Sequence, residues 1–175
     1  MALVVETGAG LANAESYISV ADADTYHANR ANAAWVSVTD KEAALRKATD
    51  YMLQNYRMAW KGVRMTATQA LDWPRGYVYR EAFIYGGVSS FPYLVADNIV
   101  PVEVKNACAE LALKAGTADL NPDLTKDIIT QTVGPISTTY AESSPQQKRY
   151  RAIDMMLRPY LKESGTGINA SVVRS

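Results

Sequence analysis

One cysteine and one histidine are all that the 175 residues of this chain contain. A single cysteine excludes an internal disulfide, and Cys108, on the apolar face of a predicted helix, reads as a small core residue rather than a reactive thiol. With His27 as the only histidine, a multi-histidine metal site is ruled out and no catalytic triad is read around it. An excess of charge is missing too: 18 Lys and Arg stand against 18 Asp and Glu, for a formal net charge of zero. Proteins that capture nucleic acid by neutralising phosphates usually carry a basic excess, which this chain lacks in bulk. No run of about eighteen apolar residues occurs, and the opening MALVVETGAG has neither a basic start nor a long apolar stretch. The expectation is a soluble chain of a reducing compartment, with no export signal and no membrane contact.

Further absences concern chemistry. Gly8-Ala9-Gly10 lacks the spacing and the lysine of a phosphate-binding loop. Asp22 and Asp24 fall on different faces of a predicted helix, and Asp119, Asp123 and Asp127 lack the ligand pattern of a calcium loop. No convergent catalytic set emerges, so neither enzyme activity nor a cofactor is expected.

What is present is helical patterning. Residues 99–116, IVPVEVKNACAELALKAG, carry Val104, Ala107, Cys108, Leu111, Ala112 and Ala115 on one face. Pro101 falls in the first turn, where no backbone donor is needed, and Gly116 falls where a left-handed residue would close the last turn. This helix is the expected centre of the fold. Ser19-Val20-Ala21-Asp22 has capping-box spacing and predicts a helix over 20–30 with Ala23, Tyr26 and His27 on one side. A loop over 29–35 follows, with Trp35 folded back onto the core. Thr39-Asp40-Lys41-Glu42 is a second box, opening a helix over 40–56 with a stripe of Leu45, Ala48, Met52 and Tyr56 that Leu53 and Trp60 extend. Thr66-Ala67-Thr68-Gln69 predicts a short helix ending before Trp73-Pro74, a fixed corner.

Residues 77–98 have no helical period. Tyr77, Tyr79, Phe83, Ile84, Tyr85, Phe91 and Tyr93 crowd around Gly86-Gly87, a pattern that suits a hairpin with the glycines near its tip. Three destinations fit these aromatics: stacked on bases, buried against a neighbouring subunit, or covering the home core. Residues 127–133 and 136–141, separated by Gly134-Pro135, predict a two-stranded ribbon. Ser144-Pro145-Gln146-Gln147 is expected to open the last helix, with Tyr150, Ile153, Met156, Leu157, Tyr160 and Leu161 as its core stripe and Pro159 bending or ending it. Lys148, Arg149, Arg151 and Arg158 form its basic flank, which reads either as a solvated face or as a DNA-facing one. The polar end, 164–175, is expected to be mobile in the isolated chain, with Ile168, Val172 and Val173 able to dock on a partner. The fold class is therefore mainly α: a compact bundle of about four to five helices with a small β-ribbon and an aromatic-rich insertion at 77–98, in one domain over 1–163 followed by a flexible tail.

Several separated blocks carry a resemblance over nearly the whole chain: LVVETGAGLANAESYISVADADTYH, ALRKATDYM with QALDWPR, IVPVEVKNACAELALKAG, and VGPISTTYA before the last helix. Together they resemble a family of tailed-phage and prophage proteins labelled DnaT-like single-stranded-DNA-binding proteins, whose helical layout is similar to head-tail adaptor, or connector, proteins. The resemblance implies two competing functions. A neck adaptor would form a ring beneath the portal, twelve copies if it follows the connector family. Its partners would be the portal protein, neighbouring copies of itself, the next tail protein and the double-stranded DNA passing through the channel. Made in the host cytoplasm, it would reside in the virion neck, with Tyr79, Phe83, Tyr85, Phe91, Tyr93, Ile168, Val172 and Val173 as contact residues. A single-stranded-DNA binder would instead stack bases on the insertion's tyrosines and track phosphates with Lys148, Arg149, Arg151 and Arg158. A small regulator that binds a host factor is a third reading. The zero total charge favours the adaptor, because a channel wall lets DNA slide whereas a strand binder gains affinity from phosphate neutralisation.

Overall fold

The computed structural model of the chain describes residues 2–80, 94–123, 130–133, 136–139 and 149–162. Among them the protein is mainly helical. Its four α-helices are α1 (Val20–Ala28), α2 (Lys41–Tyr56), α3 (Val102–Ala115) and α4 (Arg151–Leu157). Two antiparallel ribbons accompany them: β1 (Val63–Arg64) with β2 (Arg75–Gly76), and β3 (Thr130–Val133) with β4 (Ile136–Thr139). No described helix is long and apolar enough to cross a membrane.

Helix α3 is the element that the others cover. Its expected face is buried, with Ala109 added to it, and α2, α4 and α1 all pack on it. Alanines at 107, 109, 112 and 115 leave little side-chain volume between helix axes, so the neighbours approach closely. The end of α3 differs from expectation. Gly116 keeps right-handed geometry at φ −69°, and its role is space: a Cβ there would lie 2.8 Å from Val38 Cγ2.

The helix starts are largely where hydroxyl and carboxylate caps put them. Ser19 Oγ accepts from the Asp22 amide at 3.1 Å and caps α1, but the Asp22 carboxylate accepts from the Ser19 hydroxyl at 2.8 Å instead of reaching the Ser19 amide. Helix α1 also stops two residues short of Arg30. Asp40, not Thr39, caps α2, its Oδ1 accepting from the Ala43 amide at 2.9 Å. A carboxylate beside a helix N-terminus gains from the macrodipole as well as from the hydrogen bond.

Two expected helical stretches are corrected. At Thr66–Gln69 the reciprocal box does form: the Gln69 amide donates to Thr66 Oγ1 at 3.0 Å, and the Thr66 amide to Gln69 Oε1 at 2.9 Å. Yet no helix follows. Gln69 Nε2 instead donates to the carbonyls of Leu71 and Pro74, at 2.9 and 3.1 Å, which fastens the turn to its own cap residue. Helix α4 begins at Arg151, with non-helical residues 149–150 before it; the expected opening at Ser144-Pro145-Gln146-Gln147 lies outside the described residues. Arg149 and Tyr150 lie outside it, the Tyr150 ring edge-on to Tyr51 at 5.4 Å. At Pro159 the chain passes into a 3-10 turn, Arg158–Tyr160, as a residue without an amide donor requires.

In the ribbons, Val133 faces Ile136 across Gly134-Pro135. The aromatic insertion has paired flanks: Tyr79 bridges Leu94, and the Val95 amide donates to Val78 O at 2.9 Å. The glycines expected at its tip, and the tail over 164–175, lie outside the described residues.

Near the N-terminus of the core, buried Glu6 organises the first loop: Oε1 accepts from the amides of Gly8 and Gly10, and Oε2 from that of Leu11, all at 2.8–2.9 Å. His27 is equally internal. Its Nε2 lies 3.1 Å from the Ala109 carbonyl of α3 and its Nδ1 3.1 Å from Asn32 Nδ2. The pattern suits a neutral ring that donates from Nε2 and accepts at Nδ1.

Two predictions follow from this core. Leu111→Asp places a charge on the fully buried face of α3 and is expected to abolish cooperative unfolding, whereas Lys114→Asp, at its partly exposed last turn, costs at most about 1 kcal/mol; thermal melts compare them. Burial lowers the pKa of His27, so between its unfolded value near 6.5 and its lower folded value the unfolded chain binds more protons. Stability therefore falls as pH drops below about 6.5. The difference between wild-type and His27→Gln melting curves over that range isolates the effect.

Candidate functional site

Total charge conceals a local excess. Between Arg57 and Arg80 the chain has five basic residues, Arg57, Lys61, Arg64, Arg75 and Arg80, against Asp72 alone. This segment leaves the end of α2, runs through β1, turns at the Thr66–Gln69 box, and returns through β2.

Aromatic contacts seat it on the bundle. Tyr56 meets Trp60 at 6.0 Å, Trp60 meets Trp73 edge-on at 5.7 Å, and Trp73 meets Tyr160 edge-on at 5.6 Å. The stretch after α4 is laced to the same segment: the Lys61 amide donates to Tyr160 O at 2.9 Å and the Lys162 amide to Ala59 O at 2.7 Å. At the start of β1, Gly62 has φ +67°, and a Cβ there would stand 2.1 Å from Gly76 O. Only glycine lets the two strands close.

Arg75 is the inner brace. Its Nε donates to Lys61 O at 2.7 Å, NH1 to Asp72 O at 3.2 Å and NH2 to Gly62 O at 2.8 Å. Burial lowers its pKa, but a guanidinium stays charged in a protein. All three bonds go to backbone, so Arg75 shapes the site rather than offering itself to a ligand. Asp72 is 1% exposed. Its Oδ1 accepts from Arg57 Nε at 3.1 Å, and its amide donates to the buried Tyr17 hydroxyl at 3.1 Å. Burial, reinforced by the Asp72 charge, pushes the Tyr17 pKa up and keeps the phenol neutral. Asp72 Oδ2 has no hydrogen-bond partner among the described residues.

Arg57, Arg64, Asp72 and Arg75 line a cleft of about 290 Å³. Arg57 is half exposed; Arg64 is exposed and leans on Gln69 O and Ala67 O at 3.2 and 3.4 Å. Next in the chain after β2 stands Tyr77, 72% exposed and with φ +59°. A tyrosine in the left-handed region is uncommon, and such local strain collects at functional sites. Tyr79 is also exposed, and Lys61 Nζ reaches from Pro159 O, at 2.8 Å, toward Tyr79 O, at 3.5 Å. Arg80 is spent on Glu103, which also accepts from the Tyr160 hydroxyl at 2.6 Å.

The arrangement is cationic at its rim, acidic at one buried point of its floor, and flanked by an exposed ring. Such a surface holds phosphates at the outer guanidiniums and presents a face on which bases stack. Of the residues expected to touch partners, Tyr79 lies here, while Phe83, Tyr85, Phe91, Tyr93, Ile168, Val172 and Val173 fall outside the described residues. Arg149, Arg151 and Arg158 are exposed around α4, and Lys148 falls outside the described residues. Tyr77 belongs to the insertion whose tyrosines were expected to stack bases, whereas Arg57, Lys61, Arg64, Asp72 and Arg75 were not among the expected site residues. A running count of charge along the chain, instead of its total, singles out this segment.

A sequence model of one protein family, described as "Putative DnaT-like ssDNA binding protein", matches residues 1–175. No curated protein and no solved structure matches the chain. The match overturns the expectation of a neck adaptor, since the description names the reading that total charge had placed second. The reason for that error is physical: opposite charges that sit on different faces cancel in a sum without cancelling at a surface.

The brace itself is testable. Arg75→Lys is expected to leave two of the three carbonyls without their donor, and at about 1–3 kcal/mol for each buried orphan the melting temperature is expected to fall by roughly 5–20 °C. Arg64→Gln, at the exposed rim, is expected to shift it by less than about 2 °C. Differential scanning calorimetry on the two variants makes the comparison.

Proposed function

We propose, because the chain belongs to the family described as putative DnaT-like ssDNA binding proteins, that it binds single-stranded DNA, and that the strand lies across the face built from residues 57–80. The observation that carries the location is the cleft lined by Arg57, Arg64, Arg75 and Asp72 with Tyr77 exposed beside β2. Single strands are held by a cationic track that follows the phosphates together with aromatic rings that stack bases. Arg57, Arg64 and Lys61 supply the first part, and Tyr77 with Tyr79 the second. A net-neutral chain can do this because charges beyond a Debye length of about 8 Å are largely screened, so the strand responds to the local excess rather than to the sum. The sequence blocks that resemble tailed-phage and prophage proteins support a phage or prophage source.

Fluorescence anisotropy with a labelled single-stranded oligonucleotide, repeated across salt concentrations, tests the proposal. Binding is expected to weaken linearly in log–log form as salt rises, and Arg64→Gln to lower the slope by about 0.7. Tyr77→Ala is expected to cost about 1–3 kcal/mol, the worth of one stacked base. If the loss follows Arg149→Gln with Arg151→Gln instead, the strand lies along α4. An absence of salt-sensitive binding by the wild-type protein would sink the proposal altogether.

A further inference from the structure

We propose that the strand-binding face extends beyond residues 57–80 onto the turn that follows α4, so that Arg158 and Lys162 hold phosphates of the same strand as Arg57, Lys61 and Arg64. This rests on the single-strand reading above and specifies how far the cationic track runs. It joins one member of the expected basic flank, Arg158, to a lysine that no motif marks.

The backbone makes the join. Trp60 pairs with Leu161 in an antiparallel bridge, the Lys61 amide donates to Tyr160 O at 2.9 Å, and the Lys162 amide donates to Ala59 O at 2.7 Å. Chains paired in this way run about 5 Å apart. Their charges therefore act on a ligand together, since screening sets in over a Debye length of about 8 Å. Lys61 also borders the cleft: its carbonyl accepts from Arg75 Nε at 2.7 Å, so the brace of the cleft and the turn after α4 hold one residue between them.

Side chains cross the same seam in both directions. Lys61 Nζ donates to the carbonyl of Pro159, the residue after Arg158, at 2.8 Å, and Lys162 Nζ donates to the carbonyl of Met58, the residue after Arg57, at 3.3 Å. An ammonium has three N–H donors, so each lysine keeps at least one for a phosphate. Arg57, Arg64, Arg158 and Lys162 are all exposed. Neither Arg158 nor Lys162 is ion-paired among the described residues. The acids beside the seam are engaged elsewhere: Asp154 accepts from the Tyr56 hydroxyl at 2.5 Å, and Glu103 accepts from the Tyr160 hydroxyl at 2.6 Å and from Arg80. A cluster of one sign without counter-charges repels itself, and a polyanion laid across it relieves the repulsion.

The track also has an end. Arg149 and Arg151 stand at the start of α4, whose seven residues set Arg151 roughly 10 Å from Arg158, more than a Debye length. They belong to the expected basic flank but lie off the seam.

Salt titrations of an oligothymidylate, followed by fluorescence anisotropy, separate these contributions. Arg158→Gln and Lys162→Gln are each expected to lower the log–log salt slope by about 0.7, as Arg64→Gln does, and the losses are expected to add when the substitutions are combined. Arg149→Gln with Arg151→Gln is expected to leave the slope unchanged. Lys162→Arg keeps the charge and is expected to keep the slope, whereas a lysine that only fastened the turn would change the melting temperature without moving the slope. If Lys162→Gln does not fold, the exposed Arg158→Gln carries the test alone.

Wild-type slopes in both Arg158→Gln and Lys162→Gln, beside a lowered slope in Arg64→Gln, would overturn the extension while leaving strand binding at the cleft intact. A loss confined to the turn, or one that follows Arg149 and Arg151, would put the strand on α4 and overturn the shared track. If wild-type protein shows no salt-sensitive binding, the single-strand reading falls and this inference falls with it.

Discussion

The close approach of α3 to its neighbours is the constraint on which the rest of the protein depends. A helix whose inner face is largely alanine contributes little apolar volume of its own, so its burial works only if larger side chains from α1, α2 and α4 fill the space around it. Leu45, Met52, Ile153 and Leu157, all essentially fully buried, do this. The same closeness explains why His27 can bond the Ala109 carbonyl directly, and why residue 116 has no room for a side chain beside Val38.

That packed body serves as the mount for a corner with different physics. From Trp60 to Tyr79 there is little regular structure, and the backbone is held by side chains instead: Gln69 bonds two carbonyls, Arg75 bonds three, and two tryptophans bury the connection. Polar groups committed in this way set the shape of a loop more narrowly than packing alone, because each unmade bond is costly inside the protein. Rigidity at the floor leaves Arg57, Arg64 and Tyr77 at the surface with defined positions. The corner therefore presents a preorganised cationic and aromatic face, and preorganisation of this kind lowers the entropy lost on binding a flexible ligand.

Charge illustrates how a correct number can mislead. The chain is neutral, and from that the channel-wall reading followed by sound electrostatics. The premise that failed was uniformity. Acidic side chains elsewhere are engaged locally, as Asp24 is with Lys41 and Trp35, and Glu15 with Arg46. Lys41 holds Asp24, and Arg46 holds Glu15, below the usual carboxylate range. The segment from Arg57 to Arg80, by contrast, holds five basic residues and one acidic residue, the buried Asp72.

Sequence alone determined the helices that have a strong apolar period and a local cap, because both signals are written within a few residues of each other. The buried stripes of α2 and α3, the cap at Ser19, the inward Trp35 and the antiparallel pairing of β3 with β4 all belong to this class. Tertiary structure alone decided whatever needed a distant partner. The Thr66–Gln69 box forms as its spacing implies, but whether a helix follows depends on where Gln69 Nε2 finds its acceptors. Gly116 is explained by Val38, far away in the chain, and not by its own dihedral. The cleft is the fullest case. Asp72 is one acidic residue among eighteen in the sequence, and its burial beside Arg57 is set where Tyr17, far away in the chain, accepts from its amide and Arg75 donates to its carbonyl.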